Sequence, residues 1–213
     1  MDLLNSIDIS EMEQKYRTTF VNSISGFKSL QMVATISESG KTNIALFNSI
    51  FHIGANPPLI GMICRPDGDQ HETFSNLSKT GVYTLNNVKE EWYKKAHQTS
   101  ARFNVNQSEF ETCGFTEQFL PTFKAPFVKE ASVKLGMEVK EINTIKFNGS
   151  RLVIGEVMYV ILDEGLVGTD GFVDVEKAKS VTVVGLDSYH STQKLARLKY
   201  AKPEYQPQEL NVD

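Results

Sequence analysis

Cysteine is almost missing from this chain of 213 residues: Cys64 and Cys113 are its only two. They stand far apart, which excludes a disulfide framework and a thiolate zinc site and makes a reducing, cytoplasmic setting the expectation. Long apolar runs are missing too, and nothing approaches the roughly 18 residues that a membrane span requires. The opening MDLLNSIDISEMEQKY has early acids, no basic start and no long apolar stretch, so no signal peptide is expected. Positive charge is not in excess. Lys and Arg number 22 against 26 Asp and Glu, a net charge of −4, which argues against nucleic acid or an acidic membrane as partner. His52, His71, His97 and His190 are scattered without helical or strand pairing, so no metal site is expected. There is no Gly-x-Ser-x-Gly elbow and no Gly-x-Gly-x-x-Gly loop. Ser39-Gly40-Lys41-Thr42 looks like the end of a phosphate-binding P-loop, but Thr35 stands where the first glycine belongs and strand follows instead of helix. It reads as a hairpin tip. Cys64 ends a buried-looking strand, where a thiol packs and does not attack.

What is present is strand pattern. Apolar residues make up 40% and charged residues 23%, an ordinary globular composition, and the length suits one domain. Ser10 and Glu13 have capping-box spacing, and Met12, Tyr16 and Phe20 recur with helical period, so a helix is predicted that Gly26 stops. Leu30, Met32, Ala34 and Ile36 alternate with Gln31, Val33, Thr35 and Ser37, a strand period. A Ser39-Gly40 turn leads into a second strand near 42–48. Residues 51–53 and 59–64 are further strands, parted by Asn56-Pro57-Pro58. Asp69 and Glu72 have N-cap spacing before a short helix that Gly81 ends, and 82–88 returns to strand. Residues 90–101 are helical in composition, with Trp92 and Ala96 on one face. Ser108 and Glu111 cap a further short helix that Gly114 closes. Residues 119–126 read as a packed loop holding Pro and Phe.

Alternation resumes at Val133, Leu135, Met137 and Val139. Asn148-Gly149 predicts a type I′ hairpin between strands at 142–147 and 152–162. A last short strand spans 181–186, before a polar tail. No repeated βαβ unit occurs, which disfavours a doubly wound sheet. The fold expected is mainly β: a six- or seven-stranded antiparallel barrel with peripheral helices in a single domain. Residues 1–26 would be a helical extension, 27–190 the barrel core and 191–213 the tail.

Polar residues collect at the strand ends between Met32 and Asn86. Asn43, Asn48, Ser49, Arg65 and Thr73 are so placed, an arrangement suited to a small phosphorylated ligand lying across the ends. In order along the chain come Gly40, Asn43-Ile44-Ala45, Asn48-Ser49-Ile50-Phe51 and Pro57-Pro58-Leu59, then Thr73, Asn76, Gly81 and Asn86. Thr99-Ser100-Ala101, Ser108-Glu109-Phe110-Glu111, Gly114-Phe115-Thr116 and Gly185-Leu186 with Tyr189 follow. This order and spacing resembles the flavin reductase-like, FMN-binding split-barrel family, particularly its flavoredoxin-type branch, over roughly residues 27–190.

The resemblance implies an antiparallel split β-barrel that binds FMN at the subunit boundary of a homodimer. It also implies an oxidoreductase that passes reducing equivalents from NADH or NADPH to free flavin or to a redox partner protein. An FMN-holding electron carrier without nicotinamide turnover is the alternative, and a split barrel with a pyridoxal compound or no flavin is a third. Backbone amides around Asn48, Ser49 and Ile50, with Phe51 beside them, would meet the ring or the ribityl chain. Arg65 could clamp the phosphate with two parallel hydrogen bonds. Thr73 lies in the first turn of its helix, where free amides favour an anion. Asn43, Asn76, Ser100 and Tyr189 complete the cofactor set. His190 is the candidate catalytic residue, shaping the nicotinamide face together with residues 119–126. Plainer roles compete: Asn43 as hairpin support, Arg65 as a solvated strand-end cation, Tyr189 as packing. One departure stands out. The family often has a basic residue just before its Thr, where this chain has Glu72, so Arg65, His71, Lys28 or the partner subunit must supply charge for the phosphate.

Overall fold

The computed structural model describes residues 3–66, 72–103 and 107–210. Seven antiparallel strands carry the architecture, in the spatial order β3-β2-β6-β9-β10-β5-β4. They are β2 (Gln31–Ile36), β3 (Thr42–Phe47), β4 (Ile50–Ala55), β5 (Pro58–Cys64), β6 (Val82–Asn87), β9 (Val133–Thr144) and β10 (Arg151–Leu162). The two edges of that order, β3 and β4, are consecutive in sequence and joined only by Asn48-Ser49. They do not pair with each other, so the barrel is split along that seam.

β2 shows why the barrel holds. Its pattern alternates, yet both faces are covered, because Val33 and Thr35 are as fully buried as Met32 and Ala34. Val33 points into the interior with Met62, Cys64, Tyr83, Leu85, Met137 and Val153, and Leu77 of α3 (Glu72–Thr80) belongs to the same cluster. Met32 and Ala34 face outward under Trp92, Ala96, Phe110 and Phe115. Those residues come from α4 (Tyr93–Gln98), α5 (Glu109–Thr112) and the segments beside them. Each such side chain fully buried stabilises by about 1.5–3 kcal/mol. Trp92 is core, as its position beside Ala96 suggests.

Two buried asparagines at the end of β6 organise the loops. Asn86 donates from Nδ2 to the Met32 carbonyl and accepts from the Val128 amide, at 3.0 and 2.9 Å. Asn87 accepts from the amides of Ser132 and Val133, both at 2.9 Å, and donates to Ser180 Oγ at 2.7 Å. One side chain thereby satisfies backbone groups that the sheet leaves over.

Several local expectations change. The N-terminal segment is two helices, α1 (Ser6–Glu11) and α2 (Gln14–Ser23), capped by Asn5 and Glu13. Ser10 lies inside α1 and donates back to the Ile7 carbonyl, because the capping box is Asn5 with Asp8. The Asp69 cap lies outside the described residues. Residues 119–126 are no loop: β7 (Glu117–Leu120) and β8 (Phe123–Val128) form a hairpin whose Phe123, Ala125 and Phe127 are buried. The β9–β10 turn is longer than a type I′ hairpin. Strand pairing stops at Thr144 and Arg151, and only Gly149, not Asn148, takes positive φ. Finally, β11 (Thr182–Val184) turns back into β12 (Ser188–His190), and both join β1 (Lys28–Ser29) in a second small sheet. In the tail, Arg197 pairs with Asp170 at 2.6 Å and lies over the Phe172 ring. Among the described residues, no helix is long and apolar enough to cross a membrane.

Candidate functional site

The bend between β3 and β4 is where backbone donors are left over. Asn48 Nδ2 donates to the Gly185 carbonyl at 2.9 Å, and the Ser49 carbonyl accepts from the Ile63 amide at 2.9 Å. Ser49 Oγ reaches Asn48 Oδ1 at 3.4 Å. The amides of Asn48 and Ser49 themselves donate to no described group, although both residues are half-buried. Two successive amides with no acceptor among the described residues make a donor pair for a ligand.

Positive charge stands beside the bend. Lys28, on β1, is held by a bond from Nζ to the Asn22 carbonyl at 2.7 Å. Burial first, and then the nearby Arg65 guanidinium, lower its ammonium below the usual lysine range. Arg65, exposed at the end of β5, and half-buried Lys28 therefore sit within electrostatic reach of each other. Like charges held together favour an anion between them.

Aromatic residues complete the surroundings. Phe27, largely exposed, meets His190 edge-on with ring centroids 5.1 Å apart. His190 Nε2 lies 2.9 Å from Ser188 Oγ. Tyr189 OH is 2.6 Å from His97 Nδ1, and its ring packs against Tyr93 with centroids 5.2 Å apart. Ser100, exposed, closes α4 with its amide on the His97 carbonyl. Ile50 pairs with Met62, and Phe51 pairs with Gly61. A Cβ at Gly61 would stand 2.6 Å from the Phe51 ring, so glycine lets that ring lie flat on the strand. Ile50 and Phe51, with Ser29, Ile60, Leu85 and Leu135, line an apolar hollow of about 230 Å³.

Asn43, Thr73 and Asn76 form a separate group. Thr73 Oγ1 donates to Asn43 Oδ1 at 2.8 Å, and Asn76 Nδ2 donates to Thr35 Oγ1 at 3.1 Å, both buried. These bonds knit α3 to β2 and β3. At about 3.3 Å per residue, Asn43 lies roughly 17 Å along the chain from Asn48. The Thr73 hydroxyl proton is committed to Asn43. Glu72 is tied to Lys41 at 2.8 Å. Glu109 bonds to Asn43, and burial above all raises its carboxyl from the usual range, since Oε2 is buried without a partner among the described residues. Cys64 is buried, and desolvation pushes its thiol up to about 11, where no thiolate forms near neutral pH. His71 lies outside the described residues.

The flavin reductase-like domain model matches residues 26–176. The chain belongs to the flavin reductase-like family. A candidate flavin reductase with a split barrel domain from Shewanella frigidimarina is 43% identical, with a TM-score of 0.91 over 94% of this chain and 100% of that one. Nitrilotriacetate monooxygenase component B from Bacillus cereus is 21% identical, with a TM-score of 0.82 over 93% of this chain and 100% of that one. Flavoredoxin of Desulfovibrio vulgaris is 20% identical, with a TM-score of 0.68 over 83% and 91% of the two chains. The last two share the fold. A flavin-related redox function follows from membership.

The family match ends before β11, so Tyr189 and His190 lie beyond it. Sequence reasoning missed Tyr93, His97 and the Gly185 carbonyl. Tyr93 and His97 are four residues apart on one helix face, a spacing that marks them as neighbours. Nothing in the sequence ties them to Tyr189, 92 residues beyond His97.

Proposed function

We propose that this chain binds FMN at the Asn48-Ser49 bend and is an FMN-dependent oxidoreductase. In this reading it takes reducing equivalents from NADH or NADPH and passes them to free flavin or to a redox partner protein. The observation that carries the reading is the pair of successive amides at Asn48 and Ser49, without acceptors among the described residues, beside the Lys28–Arg65 cation pair. FMN needs both parts: donors for the oxygens of its ring or ribityl chain, and positive charge for its phosphate. The residues present fit it.

Bound FMN would supply hydride acceptance at its N5, so no protein nucleophile is required. The chain's own residues bind and orient. Asn48 and Ser49 donate from the backbone, and Ile50 and Phe51 offer an apolar edge. Arg65, with Lys28, holds the phosphate by charge-assisted bonds. Tyr189, His190 and Phe27 wall the open side, and His190 shapes the face that nicotinamide would approach. Ser100 stands on the same side, at the end of α4. Asn43, Thr73 and Asn76 support from below by fixing β2 and β3. A second copy of the chain would close the exposed side, where Phe27, Phe51 and Ile53 remain uncovered. The missing dinucleotide fingerprint favours the second reading, an FMN-holding electron carrier.

Visible absorbance of the purified chain, after FMN addition and desalting, tests the proposal. A retained flavin spectrum that NADH or NADPH bleaches faster than free FMN is the expected result. Retention without bleaching selects the carrier. A colourless chain overturns both.

A further inference from the structure

The small sheet that walls the bend is too short to fix itself. β1 contributes two residues and β11 and β12 three each, and sheets of this size are marginal without side-chain support. Its tip is tied down at Gly185 by Asn48. Its other side is held by α4. Tyr93 and His97, one turn apart, both pack on Tyr189: Tyr93 tilted at 43° and His97 edge-on, with centroids 5.2 and 5.7 Å away. The phenol oxygen then meets His97 Nδ1 at 2.6 Å.

We propose that His97 is a positioning residue for the flavin site, acting through the Tyr189 hydroxyl to fix the β11–β12 wall. The proposal rests on the FMN reading above. Tyr189 is half-buried, and burial, then the Asp187 carboxylate, raise its phenol from the usual range, so it keeps its proton. As part of this proposal the phenol donates, Nδ1 accepts and the imidazole proton sits on Nε2, the assignment that the first arm below tests. His97 itself is exposed, which keeps Nε2–H in solvent and leaves the Tyr189 bond to set the ring's orientation. Its carbonyl also receives the Ser100 amide, so the same turn of α4 places Ser100.

The test has two arms. In the first, nitrogen NMR of the wild-type chain and of Tyr189→Phe reads the imidazole of His97. The wild type is expected to show Nε2–H with an unprotonated, hydrogen-bonded Nδ1, and the Nδ1 signal is expected to shift in Tyr189→Phe. A proton on Nδ1 in the wild type, or no shift, overturns the proposal. This arm needs no flavin and no variant at His97, so it stands even if His97→Ala fails to fold. In the second arm, FMN dissociation constants are measured by fluorescence quenching for His97→Ala, Tyr189→Phe and the double variant. Each single change should weaken FMN about fivefold, the worth of one hydrogen bond, and the double change no more than about tenfold. Losses that multiply to about 25-fold overturn the positioning role alone. A wild type that binds no FMN overturns the functional reading and this proposal with it.

Discussion

The side-chain amide of Asn48 donates to the carbonyl of Gly185 at 2.9 Å, joining two turns that lie 137 residues apart. Gly185 takes positive φ (64°) at the start of the turn between β11 and β12 and is buried. The bond thus ties the seam of the split barrel to the small sheet beside it, and it leaves the backbone amides of Asn48 and Ser49 unused.

Asn48→Ala should cost about 1–2 kcal/mol of folding free energy, because it strands a buried carbonyl without a donor. Urea unfolding measures this. An unchanged midpoint would mean that the Gly185 carbonyl finds another partner and that the bond is dispensable.

Arg65→Ala and Lys28→Ala should each weaken FMN roughly tenfold and leave riboflavin binding unchanged, since riboflavin lacks the phosphate. Raised salt should weaken FMN alone as well. Equal losses for FMN and riboflavin would move these cations away from the phosphate.

Gly155→Ala should be severe. A Cβ there would stand 2.3 Å from Tyr83 Oη and 3.2 Å from Met137 Cε, inside the barrel. Overpacking of this kind costs about 1–3 kcal/mol or more. Tyr83 Oη is buried with no hydrogen-bond partner among the described residues, so Tyr83→Phe should be neutral or stabilising by about 1 kcal/mol. It should also soften Gly155→Ala. Thermal melts of the two single variants and the double variant decide the matter; full additivity would place the clash elsewhere.

Glu109 should make the chain lose stability as pH rises. Its folded-state carboxyl is raised by burial, so between the ordinary carboxylate range and the raised value the folded chain binds more protons than the unfolded one. The contribution is full below the unfolded value and fades as pH climbs through the folded one. Glu109→Gln should remove this slope and keep a side chain that can bond to Asn43. Urea midpoints across mildly acidic to neutral pH, compared between wild type and variant, would show identical slopes if Glu109 played no part.

Much of the barrel was legible along the chain. Gly40, Gly81 and Gly114 all take positive φ where the pattern called for turns or helix stops, and the strands of residues 31–64 lie where alternation and Pro57-Pro58 put them. The misreadings were tertiary in origin. Residues 119–126 looked like a loop because Pro126 discourages a ladder, yet Phe123 and Phe127 find a partner surface that draws them into a hairpin. Asn148-Gly149 signals a two-residue turn, but the Ile145 amide bonds to the Ser150 carbonyl at 2.7 Å and closes a longer turn over residues 146–149. Of the site residues, Asn48, Ser49 and Arg65 do gather near one seam, whereas Thr73 and Asn76 turn inward to hold β2 and β3.

By itself the sequence determined most of the barrel strands, the short helices that follow them and several of the turns. Those depend on neighbours a few residues away, through side-chain period, φ preference and capping. Only the tertiary structure decided that β3 and β4 would meet without pairing, that the Asn48 and Ser49 amides would be left as donors, and that His97 would reach Tyr189. The last is a contact across 92 residues, and the first two follow from how β2, β6, β9, β10 and β5 close between the two edge strands; all are set by which buried faces fit together and which polar groups that fit leaves over.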